Sequence, residues 1–197
     1  MTTATVTETE KFSRRGRVLI LLGLLIALVG CDQATKKYAV DHWKGADEQV
    51  YLDGFFRIKY AENPGAFLSL FAGLPPMARF WILTVGNGLV LGAFGLFLIV
   101  GHHPDRWFFT GLSLVVVGGV GNLIDRIRLG GRVIDFLILG RQLPLQTGVF
   151  NVADVAITVG FLMLIPLVVM GDRAAKPAAD TPAAPPESPR PIENVGV

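Results

Sequence analysis

The sequence predicts an all-α integral membrane protein: four transmembrane helices carrying a small extracytoplasmic β-structure. Three observations predict it. Apolar residues make up 51% of the chain and charged residues only 17%, where a soluble domain carries about 25% charged residues; mean hydropathy is +0.51. Four stretches approach the roughly 20 consecutive apolar residues that a membrane helix needs. Between the first two of them, alternating segments flank Asp53-Gly54, a hairpin signal.

The elements follow in order. Residues 1–17 are polar, and Lys11, Arg14, Arg15 and Arg17 stand just before the first apolar run, which favours a cytoplasmic N-terminus. The remaining Lys and Arg residues are spread too evenly to decide orientation. A membrane domain spans 18–171. Its first helix covers about 18–39 and is uncharged until Asp32. The connection 40–77 holds two strand-like segments, Gln49 to Leu52 and Phe56 to Tyr60; Phe56, Ile58 and Tyr60 would share one face, Arg57 and Lys59 the other. The second helix covers about 78–100, with Arg79 at its edge. The third covers about 107–127 and ends on Asp125 and Arg126. Arg132 to Ile138 reads as another short strand, and the fourth helix covers about 149–171, with Asp154 near its start. Residues 172–197, rich in Pro and Ala, form a cytoplasmic tail that cannot bury a core and is expected to be disordered.

Several function classes drop out. A net charge of +2 gives no basis for a nucleic-acid partner. A single cysteine, Cys31, excludes an internal disulfide. CxxC and HExxH spacings are absent, so no metal is expected; Walker and GxGxxG loops are absent, so no cofactor is either. His42, His102 and His103 read as solvated loop residues.

Depth gathers the polar residues. With helices one and three running outward, Asp32 lies about 21 Å along the first and Asp125 about 27 Å along the third, while Asp154 lies about 7.5 Å into the fourth, which runs inward. Asn122, Arg126, Asp135 and Asn151 fall at the same level. Charges at membrane depth are costly and usually functional, so one polar site near the outer face is the economical reading. Plain structural roles compete with it. Asn151 and Asp154 fit a helix cap with an acid three residues on. Asp32 and Lys36 are an i,i+4 pair at a helix end, and Asp125 and Arg126 could simply end helix three. Asn63-Pro64-Gly65 could be only a turn, and glycines 118, 119 and 121 could serve only close helix packing.

Five stretches occur in order on this helix pattern: Asp32-Gln33-Ala34-Thr35-Lys36, Asn63-Pro64-Gly65-Ala66-Phe67, Gly118 through Asn122 to Asp125-Arg126, Val133-Ile134-Asp135-Phe136, and Phe150-Asn151-Val152-Ala153-Asp154. Together they resemble lipoprotein signal peptidase (signal peptidase II), over roughly residues 18–170. The resemblance implies a bacterial inner-membrane aspartic protease that cleaves diacylglyceryl-modified prolipoproteins before the lipidated cysteine, with its site toward the extracytoplasmic face. It implies Asp135 and Asp154 as the catalytic pair, and Asn63, Gly65, Asn122, Asp125, Arg126, Asn151 and Ala153 as residues that shape the site, with Asp32 and Lys36 from the motif ending the first helix. It also implies inhibition by the cyclic peptide globomycin. Phe67 and Leu68 depart from the small residue common after Gly-Ala in the family. A monomer surrounded by membrane lipid is expected.

The chemistry is coherent with that implication. Two close carboxylates share a proton, because both cannot easily ionise. The ionised one can take a proton from water while the protonated one polarises the scissile carbonyl. Which carboxyl holds the proton is left open by the sequence. Other readings carry less. A proton-coupled transporter would spread polar residues across the full depth. A non-catalytic adaptor leaves the five motifs unexplained, and nothing in the spacing pairs Ser69 with Lys36 for a Ser-Lys protease. Basic residues, an apolar run and Leu28-Val29-Gly30-Cys31 imitate a lipoprotein signal peptide, yet cleavage there would delete most of helix one.

Overall fold

The computed structural model describes residues 12–65, 73–101, 106–141 and 146–174, the last with side chains to 167. The expectations for residues 1–11, for Ala66, Phe67, Leu68 and Ser69, for His102 and His103, and for the tail from 175 lie outside the described residues.

Four helices and one small sheet make up the described chain. Helix α1 runs Arg14–Trp43 with a π-helical turn at Leu25–Val29. Ser13 caps it, its hydroxyl accepting from the Gly16 N–H at 3.1 Å. Strands β1 (Gln49–Tyr51) and β2 (Phe56–Asn63) follow. Helix α2 spans Pro76–Val100, with proline in its first turn and a second π-helical turn at Trp81–Gly86. Helix α3 is Arg106–Arg128, strand β3 is Val133–Leu139, and helix α4 is Val152–Ala174. The sheet is antiparallel in the order β1-β2-β3.

Helices α1, α2 and α3 are each long and apolar enough to cross a membrane. Helix α4 matches α3 in length at 23 residues, with Val152–Leu167 as its described apolar stretch. Their outer faces are bare apolar surface: Ile26 is 78% exposed, Leu89 72% and Leu162 59%. Such surface is untenable in water and ordinary in lipid. Inside, Leu21, Leu98, Phe109, Leu112 and Val116 form one core, and Ala39, Ile134 and Phe136 form another beneath the sheet, against Trp43 and Tyr60.

Helix α3 is the most buried, and small residues let α4 lie directly on it. At Gly118 a Cβ would fall 2.6 Å from the Ala153 carbonyl oxygen and 2.8 Å from Ile157 Cγ1. Gly118→Val is therefore expected to push α4 away, lowering stability by about 1–3 kcal/mol and disturbing the α4 N-terminus. Thermal unfolding in detergent checks it; an unchanged midpoint would mean that the helices can separate freely here.

Four local expectations change. Helix α1 does not end near residue 39, so Asp32 and Lys36 lie within the helix rather than at its end. Asp32, Lys36 and Ala39 are all buried on one face, and that stripe against α4 and the sheet carries the helix on to Trp43. Helix α4 begins at Val152, not 149, because Phe150 pairs with Leu137 through bonds of 2.8 and 2.9 Å and remains extended. In β2 the register shifts between Ile58 and Ala61, which breaks the simple alternation of faces. The hairpin turn is longer than two residues: Leu52, Asp53 and Gly54 all take positive φ.

Candidate active site

Three elements meet where α3, β3 and the start of α4 come together. Asn151 caps α4: its Oδ1 accepts from the Asp154 N–H at 2.9 Å, and Asp154 Oδ2 accepts from the Asn151 N–H at 3.1 Å. This reciprocal cap fixes the Asp154 backbone and one carboxylate oxygen together. The other oxygen, Oδ1, accepts from Asn122 Nδ2 of α3 at 2.8 Å.

Asp135 stands on β3, 2% exposed. Its Oδ1 accepts from Asn151 Nδ2 at 2.6 Å and its Oδ2 from Asn63 Nδ2, at the end of β2, at 3.0 Å. One residue, Asn151, thus binds both carboxylates. Asn63 Oδ1 in turn accepts from the Gly65 N–H at 2.9 Å, and the Gly65 carbonyl accepts from Arg126 Nη2 at 3.3 Å. The segment Asn63-Pro64-Gly65 therefore holds side chains of the site.

Behind the carboxylates lies a buried ionic layer. Lys36, 1% exposed, donates to Asp32 Oδ2, Asp125 Oδ2 and Asn122 Oδ1, each at 2.9 Å. The three N–H groups of an ammonium are all used, so Lys36 is no free base for a neighbouring hydroxyl. Asp32 Oδ1 accepts from the Ala153 N–H at 2.9 Å, satisfying another donor of the α4 N-terminus. Asp125 Oδ2 accepts from the Ile134 N–H at 3.1 Å and so ties α3 to β3. Every site residue named from the sequence belongs to this connected set.

Asn63, Asn122, Arg126, Asp135 and Asp154 line one side of a cavity of about 400 Å³. The rest of its wall is largely apolar, with Val133, Leu139, Val149, Phe150, Val155 and Val159. Val155 and Val159 are 46% and 43% exposed on the outer surface of α4. The cavity therefore joins a polar floor to the apolar helix surface.

With this geometry in place, comparison with known proteins is decisive. The family model of signal peptidase (SPase) II matches residues 24–170. The chain belongs to that family. It is similar to the lipoprotein signal peptidase of Syntrophus aciditrophicus, 39% identical over 149 residues, covering 75% of this chain and 88% of that one. The lipoprotein signal peptidase of Enterococcus faecalis is 32% identical over 162 residues, covering 81% and 94%. Two bacterial membrane enzymes solved by the in meso method share the fold. One, at 2.3 Å resolution, has TM-score 0.66 and 22% identity, covering 88% of this chain and 99% of that one. The other, at 1.9 Å, has TM-score 0.61 and 27% identity, covering 82% and 97%.

Within this signal peptidase II architecture, burial pushes the Asp135 carboxyl up to about 7. The charge of Asp154 pushes the same way; hydrogen bonds from Asn63 and Asn151 and the Lys36 charge pull it back. One structural participant carried no assigned role in the sequence. Gln33 Nε2 lies within 3.1–3.2 Å of Asp125 Oδ1, Asp32 Oδ2 and the Gly121 carbonyl, and its Oε1 accepts from Arg128 at 3.3 Å.

Proposed function

We propose that this chain is an intramembrane aspartic endopeptidase that removes signal peptides from diacylglyceryl-modified prolipoproteins, cutting before the lipidated cysteine. Asp135 and Asp154 are the catalytic pair. The observation that carries this reading is that Asn151 hydrogen-bonds both carboxylates, which line one cavity together with apolar side chains of β3 and α4. Membership of the signal peptidase II family supports it independently.

In this reading the chain crosses the bacterial inner membrane four times, with both termini in the cytoplasm and the site toward the extracytoplasmic face, and the enzyme acts as a monomer. Substrate enters laterally past Val155 and Val159, its acyl chains still in lipid. Asp154, at the positive end of a helix dipole, is the ionised partner. It takes a proton from water as the water oxygen bonds to the scissile carbonyl carbon. Asp135 gives its proton to the carbonyl oxygen. Collapse of the resulting gem-diol breaks the C–N bond: the proton held on Asp154 passes to the leaving nitrogen and one hydroxyl proton returns to Asp135, which restores both carboxyls to their starting states. Arg126 faces the same cavity with Nη2 tied to Gly65 and binds a substrate carbonyl. Globomycin occupies this cavity and competes with substrate.

The direct test is a gel-shift assay with purified enzyme in detergent micelles and a diacylglyceryl-modified prolipoprotein. Cleavage before the lipidated cysteine, blocked by globomycin, is the expected result. No cleavage by well-folded enzyme would sink the reading and reopen ion transport, which a liposome flux assay measures.

A pH dependence follows from Asp135. Its folded value near 7 lies above the ordinary carboxylate value, and the protonated form is the one that donates. Activity is therefore retained as pH falls below 7 and lost as pH rises through it. kcat/KM should decline about tenfold per pH unit on the alkaline side. A profile flat to pH 9 would remove the acid role from Asp135.

A further inference from the structure

We infer that Lys36 is a positioning residue for the reaction: its ammonium fixes which way the Asn122 amide points and thereby obliges Asn122 to donate to Asp154. The inference rests on the proposed catalytic role of Asp154 and adds a residue that touches neither substrate nor either catalytic carboxylate.

An asparagine side chain has one acceptor end and one donor end. Asn122 Oδ1 receives two donors, Lys36 Nζ at 2.9 Å and Asn151 Nδ2 at 3.0 Å. Reversing the amide would set its NH₂ against an ammonium and a second NH₂, two donor clashes in a site where Asn122 is 6% exposed. With Oδ1 held, Nδ2 is aimed at Asp154 Oδ1, 2.8 Å away. The amide thus transmits the effect of a fixed positive charge to the carboxylate that must accept a proton from water.

Lys36 itself cannot turn away. Asp32 on its own helix and Asp125 on α3 hold its other two protons. Gln33 crosses between those two acids and receives Arg128 on its far side, which closes the layer. The groups around it are thus Asp32, Asp125 and Arg126 from α1 and α3, Asp135 from β3 and Asp154 from α4. Among the described residues, Asn122 is the side chain that hydrogen-bonds both the ammonium and Asp154. The ammonium's third proton goes to Asn122, the residue whose other end donates to Asp154, and that placement is the feature that points to the reaction.

The test uses the full-length enzyme in detergent with a lipidated prolipoprotein, comparing Lys36→Met, Asn122→Ala and the double variant. Wild-type cleavage, lost in Asp154→Asn, first establishes the catalytic reading; failure at that step overturns both claims and is seen without any Lys36 variant. Lys36→Met is then expected to lower kcat about 100-fold, the loss typical of one preorganised donor, with KM within about twofold. The double variant should be no slower than Asn122→Ala within about threefold, because the lysine acts through the amide. The acidic limb of the kcat profile should move to higher pH in Lys36→Met. Additive losses, or an unmoved pH profile with KM and kcat falling together, would overturn the inference. Asn122→Asp serves if Lys36→Met does not fold. It keeps an acceptor for Lys36 but offers Asp154 a carboxylate instead of an N–H. Its kcat should fall at least about 100-fold with binding of globomycin retained, and an unchanged kcat would equally overturn the inference.

Discussion

Asp154→Asn is expected to abolish prolipoprotein cleavage, with kcat reduced by at least about 10³-fold, and Asp135→Asn to do the same. The two losses have different causes. An amide at 154 cannot take a proton from water. It would also bring its own NH₂ toward donors that now point at the carboxylate, Asn122 Nδ2 and the Asn151 N–H. An amide at 135 can still donate a hydrogen bond to a carbonyl but has no acidic proton to transfer. Both variants are nearly isosteric, so folding is checked by thermal unfolding and by globomycin binding. Near-normal turnover in a folded variant of either kind would take that aspartate out of the mechanism. Loss in only one of them would replace the pair with a single general base.

The contrast between legible and illegible parts has a physical basis. The cap joining Asn151 and Asp154 is readable because both residues lie within one helical turn, and local geometry follows from local sequence. Helices α1, α2 and α3 were readable from hydropathy as long apolar runs, since bilayer thickness sets the length such a helix needs. Convergence of the acids at one level was readable from helix rise alone. What the sequence could not carry was pairing across the chain. Asn63 meets Asp135 across 72 positions and Asp32 meets the Ala153 N–H across 121. Nothing periodic in either segment encodes those partners. The resemblance to a family named the residues without saying which touches which. Gln33 shows the same limit: an uncharged residue between two charged ones gives no signal until α3 is brought against it. Helix α1 was cut short near residue 39 because charge at Asp32 and Lys36 reads as leaving the membrane. In the folded chain those charges neutralise one another inside the protein.

That neutralisation leads to the second large effect, which concerns stability. Asp32→Ala is expected to lower stability by about 3–5 kcal/mol, the cost of removing one partner of a buried ion pair. Asp32 is 1% exposed, so no water can enter cheaply to replace it. Its loss leaves Lys36 with one acid instead of two and strips the Ala153 N–H of the acceptor that Asp32 Oδ1 provides. The damage is placed at the first turn of α4, which also carries Asp154, so activity should fall together with the unfolding midpoint. This separates it from Asp154→Asn, where activity is lost while the midpoint falls less. Asp32→Asn gives a finer reading. Its Oδ1 can still cap Ala153, but its NH₂ would face the ammonium, so its cost should lie between wild type and alanine. Unfolding of the three proteins in one detergent, monitored by tryptophan fluorescence, orders them. If alanine were as stable as aspartate within about 1 kcal/mol, the ionic layer would not be what holds α1, α3 and α4 in register, and the packing at Gly118 and Gly121 would have to do it alone. Gly121 argues for a joint role, because a Cβ there would lie 2.8 Å from Asp32 Oδ2 and 3.2 Å from the Ala153 Cβ. The glycine makes the space in which the carboxylate reaches the helix end, so helix packing and buried charge stabilise one and the same contact.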